Sequence, residues 1–145
     1  MEAEKLQTKL LAGMSKAFGA EHPNTLIVTN NTAYTRHLLH KDEEVVEMMR
    51  QVLPIHERKY PEGWQRFRCQ SLLGAGLTGL KQYAEAEPFL LHGYQGMVDR
   101  KATIPIDGQK AITYAATYLA ELYQSWGKPG KAAEWRSKVS ADSPK

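Results

Sequence analysis

Cysteine is almost absent: Cys69, alone among 145 residues, cannot close an internal disulfide, and no second thiol exists to build a C-x-x-C zinc site. A reducing compartment, hence a cytoplasmic location, is the expectation. Charge of one sign is equally scarce. Nineteen Lys and Arg against sixteen Asp and Glu leave +3, and the cations are scattered rather than gathered into a stripe that could follow phosphates, so nucleic acid is not an expected partner. No run approaches the ~18 apolar residues of a membrane span. The N-terminal MEAEKLQTKLL has no signal-peptide core, and no membrane association is expected. Strand-like alternation is missing throughout, as are the H-R-D and D-F-G sequences of a protein kinase. What is present, 42% hydrophobic and 24% charged residues, suits one domain with a buried core.

An internal repeat is present. Ala3, Val45, Ala86 and Ala132 occupy equivalent places near the start of helical patterns, with spacings of 42, 41 and 46 residues. A second small residue precedes each of the last three by 12 positions: Ala33, Gly74 and Ala120. Apolar residues around these anchors keep helical spacing, as in Ile112, Ala115, Ala116, Leu119, Leu122, Tyr123 and Trp126. Small residues at both anchors let the two helices of a hairpin approach closely.

Punctuation is periodic too. His22-Pro23, Pro61-Glu62-Gly63 and Pro105-Ile106-Asp107-Gly108 separate helix pairs, and shorter breaks at His40-Lys41-Asp42, Lys81-Gln82 and Gly127-Lys128-Pro129-Gly130 divide each pair. The reading is all-α, with seven helices near 2–17, 23–39, 43–59, 63–80, 83–100, 108–126 and 130–141. They form a lone helix over 1–17, then units at 18–60, 61–101 and 102–141, then a tail at 142–145. The 46-residue spacing implies a longer connection through Lys101–Pro105, and Pro88 is expected to kink its helix.

The pattern Gly19-Ala-Glu-His22-Pro23-Asn-Thr25-Leu26, then Asn30-Asn31-Thr-Ala33, then Tyr83-Ala-Glu85-Ala86-Glu87-Pro88, resembles the tetratricopeptide (TPR) repeat of the kinesin light chain type. The stretch from Lys81 through Leu119-Ala-Glu-Leu-Tyr123 to Trp135 is similar to the ends of arrays attached to bacterial serine/threonine protein kinases. Two residues depart from the family pattern: Arg36 stands where an aromatic residue is usual, and His40 at the usual turn glycine. Met1–Glu4 matches a second helix only, so the sequence reads as a piece of a longer protein. The stripe Ala3, Leu6, Leu10, Met14 and Ala17 is expected to lie exposed and to favour self-association.

Three chemical readings compete with a repeat array. Gly74, Gly76 and Gly79 spell G-x-G-x-x-G, and Asp99 follows 20 residues later, as in dinucleotide-binding folds. Such folds need a strand before the first glycine, and Trp64–Leu73 has helical spacing instead. His37, His40 and Asp42 could make a weak metal site, but their place at a helix C-terminus, where positive charge is favoured, is the stronger reading of the histidines, and no metal is expected. No nucleophile has a base and an orienting partner beside it; Cys69 reads as a small packing residue, His22 as a turn residue, and His56 and His92 as helix-surface residues. No cofactor and no enzyme activity are expected.

The resemblance implies an α-solenoid whose first helices line a concave groove that binds a peptide or protein partner. Carried across by register, its groove positions are Asn30, Tyr34 and His37, then Arg68, Ser71, Ala75 and Thr78, then Tyr114, Thr117, Glu121 and Gln124. Asn30 leads, because an amide both donates and accepts along a peptide backbone, with Asn31 turned to the hairpin interior. Arg68 suits an acidic ligand residue, and Tyr34 and Tyr114 offer aromatic faces. The competing readings are a self-assembly segment and a nucleotide-binding enzyme using Gly74, Gly76 and Gly79.

Overall fold

In the computed structural model, which describes residues 2–142 and side chains from 2 to 140, every helix begins and ends within two residues of the sequence reading. The helices are α1 (Glu2–Phe18), α2 (Pro23–Leu38), α3 (Asp42–Lys59), α4 (Trp64–Gly79), α5 (Tyr83–Asp99), α6 (Lys110–Ser125) and α7 (Pro129–Asp142). No strand occurs among the described residues. Of the tail read at 142–145, all but Asp142 lies outside them.

Each helix packs on the next in sequence, and α2, α4 and α6 also pack on one another in a row. The even helices therefore form an inner layer and the odd helices an outer one. The small-residue anchors lie where the layers meet. Ala33, Val45, Ala86 and Ala132 are fully buried, and Ala120 is 4% exposed. At Gly74 a Cβ would lie 2.5 Å from Leu90 Cγ, so glycine is what lets α5 come this close to α4.

The turns inside the three hairpins share one geometry. His40, Lys81 and Gly127 each take a left-handed backbone, with φ of 60°, 64° and 76°. Beyond each, the next residue's amide reaches back to a carbonyl five positions earlier: Lys41 to Arg36 at 2.9 Å, Gln82 to Leu77 at 2.9 Å and Lys128 to Tyr123 at 2.8 Å. This is the Schellman closure, which normally uses glycine. The sequence departure at His40 is thus real, and Lys81 makes the same departure unannounced.

The long connection before α6 is held down. It contains two 3-10 turns, Lys101–Thr103 and Ile106–Gly108, and between them Ile104, 3% exposed, enters a side cluster with Phe67, Met97, Ala111, Ile112 and Ala115. The larger cluster runs from Leu26 through Met49, Leu72, Leu77 and Leu90 to Leu119 and Leu122. Each such Leu contributes ~1.5–3 kcal/mol by burial. Pro54 and Pro88 both lie inside continuous helices, α3 and α5.

Gly74, Gly76 and Gly79 all lie within α4, so they make no phosphate loop; the residues before them are helical. The space a Cβ would need at each also explains why a soft helix is kept. Gly76 faces Val45 and Val46 of α3, where a Cβ would lie 2.9 Å from Val46 Cγ2, and Gly79 lies against the Asp42 carboxylate.

Candidate functional site

The inner layer is built by α2, α4 and α6, and the structure redistributes the residues assigned to the groove. Asn30 is fully buried: it shares a stripe with Leu26 and Ala33, and its Nδ2 donates to Gln65 Oε1 at 2.9 Å and to the Gln65 carbonyl at 3.3 Å. It joins α2 to α4 and is closed to a ligand. Asn31, read as interior, is the exposed one, and its Oδ1 accepts from Arg68 Nη1 at 2.8 Å. The two asparagines trade roles because one residue turns a helix by about 100°. The spacing Leu26, Asn30, Ala33 was the signal for it.

Ser71 and Ala75, each 2% exposed, are likewise withdrawn from the face. Their small size matters in another way. Across α4 the larger side chains of α2 and α6 meet: Tyr34 and Tyr114 stack with centroids 5.2 Å apart at 14°, and His37 meets Tyr118 edge-on at 5.3 Å. An aromatic bridge thus joins the first and third hairpins over the small residues of the second. Tyr118, 7% exposed, was missed from sequence, although it follows Tyr114 by four residues on the same helix face.

Arg68 lies within this aromatic group. Burial lowers the pKa of its guanidinium from the usual value, and the tyrosines around it, Tyr118, Tyr34 and Tyr114, act in the opposite direction. Among the described residues no carboxylate pairs with it; Asn31 is its hydrogen-bond partner. Burial, then the hydrogen bond with Tyr114, pushes the Tyr34 hydroxyl up to about 12, and burial raises that of Tyr118. The hydroxyls of Tyr118 and Ser71 are buried without a partner among the described residues. The arrangement is a partly desolvated cation with donor hydroxyls nearby, which can accept an anionic group.

The remaining candidates are less engaged. Thr78 and Thr117 are half-buried and return their hydroxyls to their own helices, at Gly74 O (2.9 Å) and Thr113 O (3.0 Å). Glu121 and Gln124 are exposed, and Gln124 accepts from Arg136 at 3.0 Å. His37 Nδ1 lies 2.8 Å from Asp42 Oδ1, which fixes the ring beside Tyr118. Among the described residues no three His, Cys, Asp or Glu side chains are grouped to hold a metal.

Other expectations are settled by burial. Cys69 is fully buried beside Met49, and burial raises its thiol pKa, which leaves it a packing residue. His22 caps α2, its Nδ1 accepting from Asn24 N at 3.1 Å. His92 is on the surface, bonded to Gln70 at 2.8 Å, but His56 is not: it is 2% exposed, on the core stripe of α3 with Val45, Met49 and Val52. Arg36, standing for an aromatic residue, reaches Met48 Sδ at 2.9 Å and Thr8 at 3.3 Å, and so joins α1 to α3.

On α1, Leu6, Leu10 and Phe18 are 64%, 52% and 57% exposed, around a shallow apolar hollow completed by Met14. None of the described helices is long and apolar enough to cross a membrane.

No protein-family model matches the sequence, and no curated protein matches it. Solved structures do. The kinesin light chain-like, nearly identical TPR-like repeats of Podosopora anserina superimpose with a TM-score of 0.61 at 23% identity, over 97% of this chain and 65% of that one. A single-substitution variant of the same protein gives 0.65 at the same identity and coverage. This chain thus spans about two thirds of the length of the solved chains it matches. The likeness is one of fold: an all-α solenoid of TPR-like repeats, of the kinesin light chain type. Stacked helical hairpins of this kind present an extended surface along their inner helices.

Proposed function

We propose that the chain is a non-catalytic interaction module that docks a peptide or protein segment on its concave face, with Arg68 anchoring an acidic residue of the partner. The carrying observation is the guanidinium of Arg68, half-buried among Tyr34, Tyr114 and Tyr118, with Asn31 and, among the described residues, no carboxylate as its partner. Tyr34 and Tyr114, both half-buried, supply an apolar rim beside it. The resemblance at Lys81–Trp135 supports the finer reading of a segment from a larger cytoplasmic signalling protein, in the manner of kinase-attached arrays. Selection of a random displayed peptide library tests the docking. Sequences with an invariant Asp or Glu should be enriched on the native protein and lost on Arg68→Ala; selection with no acidic preference would contradict the proposal.

A second reading rests on α1. The exposed Leu6, Leu10 and Phe18 favour self-association through that helix. Sedimentation should give a dimer that Leu6→Glu plus Leu10→Glu disperses, and a monomer at all concentrations would remove this reading.

A further inference from the structure

Helix α1 turns much of its apolar surface outward. None of its described residues is buried or belongs to either core cluster, and its ties to the array are partial. Glu4 accepts from Lys41 Nζ at 2.7 and 2.9 Å, Thr8 accepts from Arg36 at 3.3 Å, and Leu11 and Met14 are half-buried. On the open side Leu6, Leu10, Gly13 and Ala17 follow one another at i, i+4, i+7 and i+11, so they form a single stripe. All four are exposed. A Cβ at Gly13 would meet nothing within 4 Å, which leaves room there for a side chain of another molecule.

A second row borders the stripe. Lys5, Lys9 and Lys16 each precede a stripe residue by one position, so they share one flank, turned from it by about 100°. All three are exposed, and none pairs with an acid among the described residues. Of the two acids of α1, Glu4 is engaged by Lys41 and Glu2 stands at the N-terminal end. The two rows restrict the occupant. The stripe suits the apolar side of a helix, whose larger residues pack over Gly13 and Ala17. The lysines ask for acids on that helix's flank, since charges beside a helix seam decide which partner is accepted. A second copy of this chain meets the first condition and fails the second, because an antiparallel pair of α1 helices sets lysine row against lysine row.

We propose that α1 docks an acidic amphipathic helix of a partner protein, its apolar side on Leu6, Leu10, Gly13 and Ala17 and its carboxylates on Lys5, Lys9 and Lys16. The proposal rests on the face already read as the self-association surface, names a better occupant for it, and is independent of Arg68.

Two helical peptides of about 18 residues, long enough to span α1, are the probes; they share a leucine stripe and carry either glutamate or lysine along its flank. Titration of the native protein, followed by the methyl resonances of Leu6 and Leu10, should show saturable binding of the glutamate peptide. The lysine peptide should bind roughly tenfold more weakly, three like-charge contacts replacing three exposed ion pairs. Lys5→Glu plus Lys9→Glu plus Lys16→Glu changes only exposed side chains and should invert the preference. Salt at ~1 M, which screens charges beyond ~3 Å, should remove most of it. Equal affinity for the two peptides, or a preference unchanged in the triple variant, would overturn the proposal. So would a dimer that neither peptide disperses, which keeps the self-association reading, whereas a monomer that binds the glutamate peptide removes that reading and supports this one. Attachment to phosphatidylserine vesicles without binding of either peptide would also overturn it and give the face to a lipid surface.

Discussion

The rings of Tyr34 and Tyr114 stack 5.2 Å apart although the residues are eighty positions apart in the chain. The contact spans the whole second hairpin, so it ties the curvature of the array to side-chain chemistry on its inner face. Stacked pairs contribute ~0.5–1.5 kcal/mol beyond the area they bury. A double-mutant cycle of Tyr34→Ala and Tyr114→Ala in urea unfolding should show coupling of that size. Additive effects would mean that the two outer hairpins are independent.

The left-handed turns provide a gain of stability. A residue other than glycine in that conformation costs ~1–2 kcal/mol, offset in part by the freedom glycine adds to the unfolded chain. His40→Gly and Lys81→Gly should each stabilise the protein by about 0.5–1 kcal/mol, and together should add. The check is the urea midpoint at constant slope.

Gly93 should be far less tolerant. A Cβ there would lie 2.7 Å from the Phe67 carbonyl oxygen and 2.9 Å from the Ser71 amide nitrogen, and backbone cannot swing aside. Gly93→Ala should cost about 1–3 kcal/mol. Gly13 of α1 has nothing within 4 Å, so Gly13→Ala should instead stabilise its helix by about 0.5–1 kcal/mol. Thermal unfolding of both variants separates close packing from helix propensity.

His56 makes stability depend on pH. Its pKa is lowered by burial from 6.5 to about 4, so between those values the unfolded chain binds a proton that the folded protein does not. The stabilisation is complete above pH 6.5 and is lost as pH falls toward 4, by up to about 3 kcal/mol. Urea unfolding at pH 7 and pH 4.5 should show this loss in the native protein, and His56→Phe should reduce it.

The outline of the fold was legible because it rests on local signals. Ala33 with Val45, Gly74 with Ala86 and Ala120 with Ala132 mark close helix contacts twelve residues apart, and Pro and Gly mark the turns. What escaped depends on how hairpins stack. Asn30 and Asn31 differ by one step of helix rotation, too fine a distinction for register carried over from a family. Tyr118 became visible only once α2 reached across Ser71 and Ala75. Gly76 and Gly79 made sense only against Val46 and Asp42, which belong to the preceding hairpin. His56 shares a stripe with Val45, Met49 and Val52, a spacing that could have marked it as buried.

The role of Arg68 is open to a direct measurement: the dissociation constant of a peptide selected on the native protein, in a cycle with Arg68→Ala and with the peptide's acidic residue changed to Ala. The account predicts coupling of about 1.5–3 kcal/mol, the range of a hydrogen bond to a charged group. Coupling near zero, with the peptide bound equally well by Arg68→Ala, would contradict it.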